Sequence, residues 1–108
     1  MEAESRLDAT LSALADPTRR AILERLMSGE ARVTELARPF GISLNSVSKH
    51  IRVLEGAGLV RRRRAGREHL LALDPGRLEA AAAWIERQRT PWSARLDAVD
   101  ALIEAERI

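Results

Sequence analysis

The 108-residue chain has no cysteine. That excludes a disulfide scaffold, thiolate metal sites and cysteine-based redox sensing. Aromatic residues are scarce, at 3%, so a core has to be built from Leu, Ile, Val and Ala. Ala and Leu favour helix, which leans the fold towards mainly α. No stretch approaches the roughly 20 apolar residues of a membrane span. The first twenty residues carry Glu2, Glu4, Asp8 and Asp16 without a long apolar run, unlike a signal peptide. The expected location is therefore the cytoplasm, with no membrane partner. There is no repeat, low-complexity tract or linker, and the length fits one domain over residues 1–108. Disorder is excluded by a composition that is 45% hydrophobic. A domain of this size buries a modest core, so sharing it with a second copy would help.

Lysine is nearly absent. Lys49 is the single one, and the other basic residues are arginines. The net charge of +2 hides a segregation. Between Lys49 and Arg67 lie seven basic residues (Lys49, Arg52, Arg61, Arg62, Arg63, Arg64, Arg67) against one acid, Glu55. That segment carries +6 and the rest of the chain −4. A compact basic segment in a nearly neutral chain points to a polyanion. Taken alone, a solvated charged face explains it equally well.

Helix starts are well marked. Asp16-Pro17, Asp74-Pro75 and Thr90-Pro91 each set a capping side chain before a proline at the first helical position, where its missing N–H has no intrahelical partner. The periodicity predicts a first helix over residues 5–15, with Leu7, Leu11 and Leu14 on one face. A second covers 17–28, and a short third covers 35–40, capped by Thr34 and stopped by Gly41. A fourth, capped by Ser43, covers 44–55, with Val47, Ile51 and Leu54 as its buried stripe. The period then changes. Val60 leads through the arginines to a tight turn at Ala65-Gly66 and a second strand over 68–73, with His69, Leu71 and Leu73 on one face. Helices follow over 75–89 and from Pro91 to the end. The last carries Trp92, Leu96, Val99 and Ile103 at spacings of 4, 3 and 4, a short heptad-like seam. The expected order is α-α-α-α-β-β-α-α.

A short helix, a glycine turn, a second helix and a basic hairpin make a winged helix-turn-helix. A major groove admits one α-helix, whose N-terminal half must present small polar side chains to base edges. Ser43, Asn45, Ser46, Ser48, Lys49, His50 and Arg52 meet that need on the fourth helix, and Arg62, Arg64 and Arg67 on the hairpin suit phosphate or a neighbouring minor groove.

At these residues the chain resembles the ArsR family of repressors. The resemblance is carried by Asp16-Pro17-Thr18-Arg19-Arg20, Val33-Thr34-Glu35-Leu36-Ala37 and Gly41-Ile42-Ser43. It continues through Val47-Ser48-Lys49-His50-Ile51-Arg52-Val53-Leu54, Gly58-Leu59-Val60, Gly66-Arg67 and Leu73-Asp74-Pro75. The tail, with Trp84, Trp92, Arg95, Leu96 and Asp97, is similar to a subgroup reading Trp-x-x-Arg-Leu-Asp. The resemblance implies a homodimer on double-stranded DNA, with first and last helices as its interface. The rows Leu7/Leu11/Leu14 and Trp92/Leu96/Val99/Ile103 suit that role. It also implies two recognition helices in successive major grooves of an imperfect palindrome, repression by occluding a promoter, and an inducer that weakens binding.

The chain departs from the family where many members bind metal. Glu35-Leu36-Ala37-Arg38 stands where thiolate-type members carry cysteines, and the two C-terminal helices hold no histidine. Carboxylates alone select poorly for a transition metal. No metal and no cofactor are therefore expected. His50 suits DNA better than a metal, since one histidine makes no site, and His69 suits a hairpin surface or a phosphate. Trp84 and Trp92 suit interface packing ahead of the other role open to them, the lining of a pocket for a small-molecule effector. An enzyme is the weakest alternative, for want of a nucleophile–base set or a Gly-rich phosphate loop. A winged helix used only for protein contacts is the serious one.

Overall fold

The computed structural model describes residues 2–107. Ile108, the last residue of the expected final helix, lies outside the described residues. Helix α1 (Glu2–Leu14) leads into α2 (Pro17–Leu26), strand β1 (Ala31–Arg32) and α3 (Val33–Ala37). A 3₁₀ turn (Arg38–Phe40) then precedes α4 (Leu44–Gly56), strands β2 (Val60–Ala65) and β3 (Glu68–Leu73), and α5 (Pro75–Glu106). This is a mainly helical winged helix-turn-helix with a small antiparallel sheet in the order β1-β3-β2.

Several features differ from the sequence expectation. The two C-terminal helices are one helix of 32 residues, with Pro91 inside it. The Thr90 hydroxyl donates backwards to the Glu86 carbonyl at 3.2 Å instead of capping a new helix. Strong helix formers on both sides carry the helix through the one backbone donor that Pro91 lacks. A third strand, β1, pairs Ala31 with Leu71 and Arg32 with Leu70. Helix α3 begins at Val33, with Arg32 as its N-cap and no side-chain cap bond, so Thr34 lies within its first turn.

The other caps follow local chemistry. Asp16 accepts the Arg19 N–H at 3.0 Å, and Asp74 accepts that of Gly76 at 3.3 Å, each before a proline. The hairpin turns at Gly66-Arg67, one residue later than expected, with φ of +64° at Gly66, a region glycine enters without steric penalty.

The core lies where α1 to α4 meet the sheet. Ala13, Ile22, Leu23, Leu26, Leu36, Val47, Ile51, Leu54, Leu59 and Leu71 are buried, and Leu14 packs against them. Leu7 is half-buried and Leu11 exposed. Helix α5 packs beside α1 at its root only, since Ala81 is its single buried residue among those described. Beyond it Ile85, Trp92, Leu96, Val99 and Ile103 are exposed, Trp92 by 64%. At 100° per residue they lie with Leu78 and Ala81 in an arc of about 60°, so the row that enters the core at the root runs on uncovered to the tip.

Candidate nucleic-acid interface

The turn between α3 and α4 is built by Gly41, whose φ of +60° reverses the chain after the 3₁₀ turn. Ser43 then caps α4. Its hydroxyl oxygen accepts the Ser46 N–H at 3.2 Å, and the two serine hydroxyls are 3.0 Å apart. Val47, Ile51 and Leu54 have no exposed surface, which fixes the inner face. Asn45, Lys49 and Arg52 are exposed on the opposite face and Ser48 is half-buried at its edge, within an arc of about 100°. Ser43 is exposed at the helix start, and Ser46 is half-buried.

His50 stands apart from this set. It lies on the flank facing α1 and α2, where Arg19 Nη1 donates to its Nδ1 at 3.3 Å and Asp16 Oδ2 lies 3.7 Å away. The Arg19 backbone N–H, capped by Asp16, holds that carboxyl below the usual carboxylate range, and the nearby His50 and Arg19 side chains add to the effect. On the other flank Glu55 accepts a two-pronged bond from Arg62 at 2.8 and 3.3 Å, joining α4 to the hairpin.

The hairpin register puts Val60, Arg62 and Arg64 on one side, opposite Leu73, Leu71 and His69. Three of the four consecutive arginines are paired within the chain: Arg61 with Asp74 at 3.2 Å, Arg62 with Glu55, and Arg63 with Glu30 at 2.6 Å. The Arg63 bond pulls the Glu30 carboxyl below its ordinary range and pushes Arg63 upward. Among the described residues Arg64 bonds only the Gly66 carbonyl, at 3.1 Å, and Arg67 sits at the turn. Among the described residues neither has a carboxylate within 4.0 Å. A cleft of about 320 Å³ opens between α4 and the wing, lined by Thr34, Leu44, Ser48, Arg62, Arg67 and His69.

Ser48 at the edge of the polar face of α4 and Arg67 at the wing turn thus line one cleft. The Arg19 tie and the carboxylate partners of the wing escaped sequence reading, because they join residues 6 to 33 positions apart and leave no local signal. Trp84 lines an open cavity of about 600 Å³ between α1 and α5 with Leu7, Thr10, Arg77 and Ala81, whereas Trp92 is not among its lining. Among the described residues no three His, Cys, Asp or Glu side chains gather as a metal site would require.

Comparison with known proteins agrees with this geometry. A family described as a helix-turn-helix domain matches residues 14–63. The HTH-type transcriptional regulator Rv2034 of Mycobacterium tuberculosis is 42% identical over 99 residues, covering 92% of this chain and 90% of its own. The transcriptional repressor SdpR of Bacillus subtilis is 30% identical over 79 residues, covering 73% and 88%. The crystal structure of an ArsR family transcriptional regulator, RHA00566, superposes with a TM-score of 0.78 at 42% identity, covering 83% of this chain and 93% of that one. A capped helix with a polar outer face, a basic wing beside it and full-length relatives of this kind leave one assignment: the chain belongs to the ArsR family of helix-turn-helix transcriptional regulators, proteins that bind DNA and are not enzymes.

Proposed function

We propose that this regulator is a cytoplasmic repressor that binds an imperfect palindromic operator as a homodimer. Helix α4 lies in the major groove with Ser43, Asn45, Ser46, Ser48, Lys49 and Arg52 towards the bases or their flanking phosphates. Asn45 is suited to pair bidentately with adenine. Arg64 and Arg67 run along the phosphate backbone, with Arg62 braced behind them by Glu55. The observation that carries the reading is the division of α4 into a polar exposed face and a face with no exposed surface.

The second copy supplies the partner face for Leu7, Leu11 and Leu14 of α1 and for Trp92, Leu96, Val99 and Ile103 of α5. The uncovered apolar row of α5 supports this, as does its continuity with the core. Two copies related by a two-fold axis set their reading helices about 34 Å apart, one turn of DNA. Repression follows from occupancy of the promoter; the relative SdpR is named a transcriptional repressor. No metal ion takes part.

The test is a titration of the full chain against duplex from upstream of its own gene and against scrambled duplex, across a salt series, with a footprint of the bound site. The expected result is a two-fold symmetric protected site and a log affinity that falls with log salt by about 0.9 per phosphate neutralised. Zn²⁺ or arsenite leaves it unchanged. A flat salt response, or no discrimination between the two duplexes, overturns the reading.

A further inference from the structure

We infer that Arg19 is a positioning residue for DNA reading, which sets the roll of α4 about its own axis by holding His50. The inference rests on the reading of α4 given above. Helix α4 is seated on the core by Val47, Ile51 and Leu54, and apolar burial is non-directional. Such a seat sets which face of the helix turns inward, and a turn of a few degrees leaves all three side chains covered. Turning is what matters to a groove reader, because Asn45, Ser48, Lys49 and Arg52 share one narrow arc.

The Arg19 guanidinium is fixed from one side and directional on the other. Its Nε donates to the Ala13 carbonyl at 2.8 Å and its Nη2 to the Ser12 carbonyl at 3.1 Å. Both acceptors lie in the last turn of α1, where backbone carbonyls lack intrahelical partners and a cation complements the helix dipole. Two bonds to one rigid turn fix the plane of the fork. Its remaining arm, Nη1, donates to His50 Nδ1 at 3.3 Å. Arginine only donates, so the ring accepts at Nδ1. His50 follows Lys49 directly and precedes Arg52 by two residues, so the ring marks the rotational setting of the reading face. The Glu55–Arg62 bond holds the opposite flank. Helix α4 is thus tethered on one side to the end of α1 and on the other to the wing.

The test uses the full chain, the footprinted operator and a scrambled duplex of equal length, with Arg19→Ala, His50→Ala, the double variant and Arg19→Lys. Arg19→Ala and His50→Ala are each expected to weaken operator binding about tenfold, within the range usual for coupled sites. Affinity for scrambled duplex and the salt slope should stay unchanged. The double variant should bind no worse than either single one. Arg19→Lys keeps the charge but loses the fork, so it should show the same operator-specific loss, and it carries the test if the alanine variant does not fold. A salt slope lower by about 1 in Arg19→Ala overturns the inference by making Arg19 a phosphate contact. Additive losses overturn it by making His50 an independent contact. Equal losses on both duplexes, or parental affinity in Arg19→Lys, overturn it as well. A parent chain that fails to discriminate the duplexes sinks the functional reading and this inference with it; a discriminating parent beside unaffected variants sinks the inference alone.

Discussion

Asp74, Glu55 and Glu30 already occupy three of the four consecutive arginines of the wing. A phosphate approaching this surface therefore meets Arg64 and Arg67 first. Replacing either by Ala should weaken binding to operator and scrambled duplex alike and flatten the salt slope by about 1. Arg63→Ala should leave the slope unaltered, and fluorescence anisotropy across a salt series checks both. Alternation of the arginines across the strand was legible in the sequence, because side chains of a strand point to opposite faces in turn. Their acid partners were not, since Glu30 meets Arg63 across 33 positions. The Glu30–Arg63 pair and the Asp16 cap make stability sensitive to acid. Asp16 and Glu30 have folded pKa values below their ordinary ones, so their contribution is full above about pH 4 to 5 and is lost as pH falls through the folded values. Glu30→Gln should make the thermal midpoint fall less steeply between pH 5 and pH 3 (approximate bounds set by unperturbed carboxylates); scanning calorimetry over that range reads it, and an unchanged slope would remove the pair from the account.

Capping rules succeeded at three helix starts and failed at Thr34 and at Thr90. Asp16, Ser43 and Asp74 all cap helices, as their local sequences indicate. Thr90-Pro91 has the same local signature and lies inside α5. The signature describes what a helix start tolerates; whether the helix already exists upstream is settled by its neighbours. Strand β1 was illegible for a related reason. Two residues have no period, and Ala31 and Arg32 become a strand only by pairing with β3 some 40 positions later. Thr90 and Pro91 offer a direct check at this scale. Pro91→Ala should restore a backbone donor and raise stability by up to about 3 kcal/mol, with undiminished helical signal. Thr90→Ala should be nearly neutral. Were residues 75–89 and 91–106 separate helices, Pro91→Ala would instead destabilise by losing a favourable first-turn residue, and Thr90→Ala would lose a cap of about 1 kcal/mol. Thermal melts followed by circular dichroism separate the cases.

The whole molecule measures 70 × 33 × 21 Å, and its radius of gyration of 19.2 Å exceeds the about 13 Å of a compact chain this long. The excess is α5, about 48 Å of helix attached by its first two turns. The winged helix-turn-helix was legible because its apolar periods, glycine turn and basic hairpin are each local. The molecule's length was not, because it depends on one proline failing to stop a helix. On the dimeric reading, Leu96→Asp places a charge in the middle of the uncovered row. It should convert the dimer to monomers in sedimentation velocity and abolish operator binding at concentrations where the parent saturates. A variant that stays dimeric would place the pairing surface elsewhere.

The root of α5 follows β3 directly, and Asp74, its cap, also grips Arg61 of the wing. A rod clamped at such a joint works as a lever. A tilt of about 5° at the clamp swings the far end by roughly 3 Å over the free length. The converse holds with mechanical advantage. On the dimeric reading, a coarse adjustment where two tails meet would arrive at the wing as a fine one, so the spacing of the two reading heads could be trimmed from a place that never touches the nucleic acid.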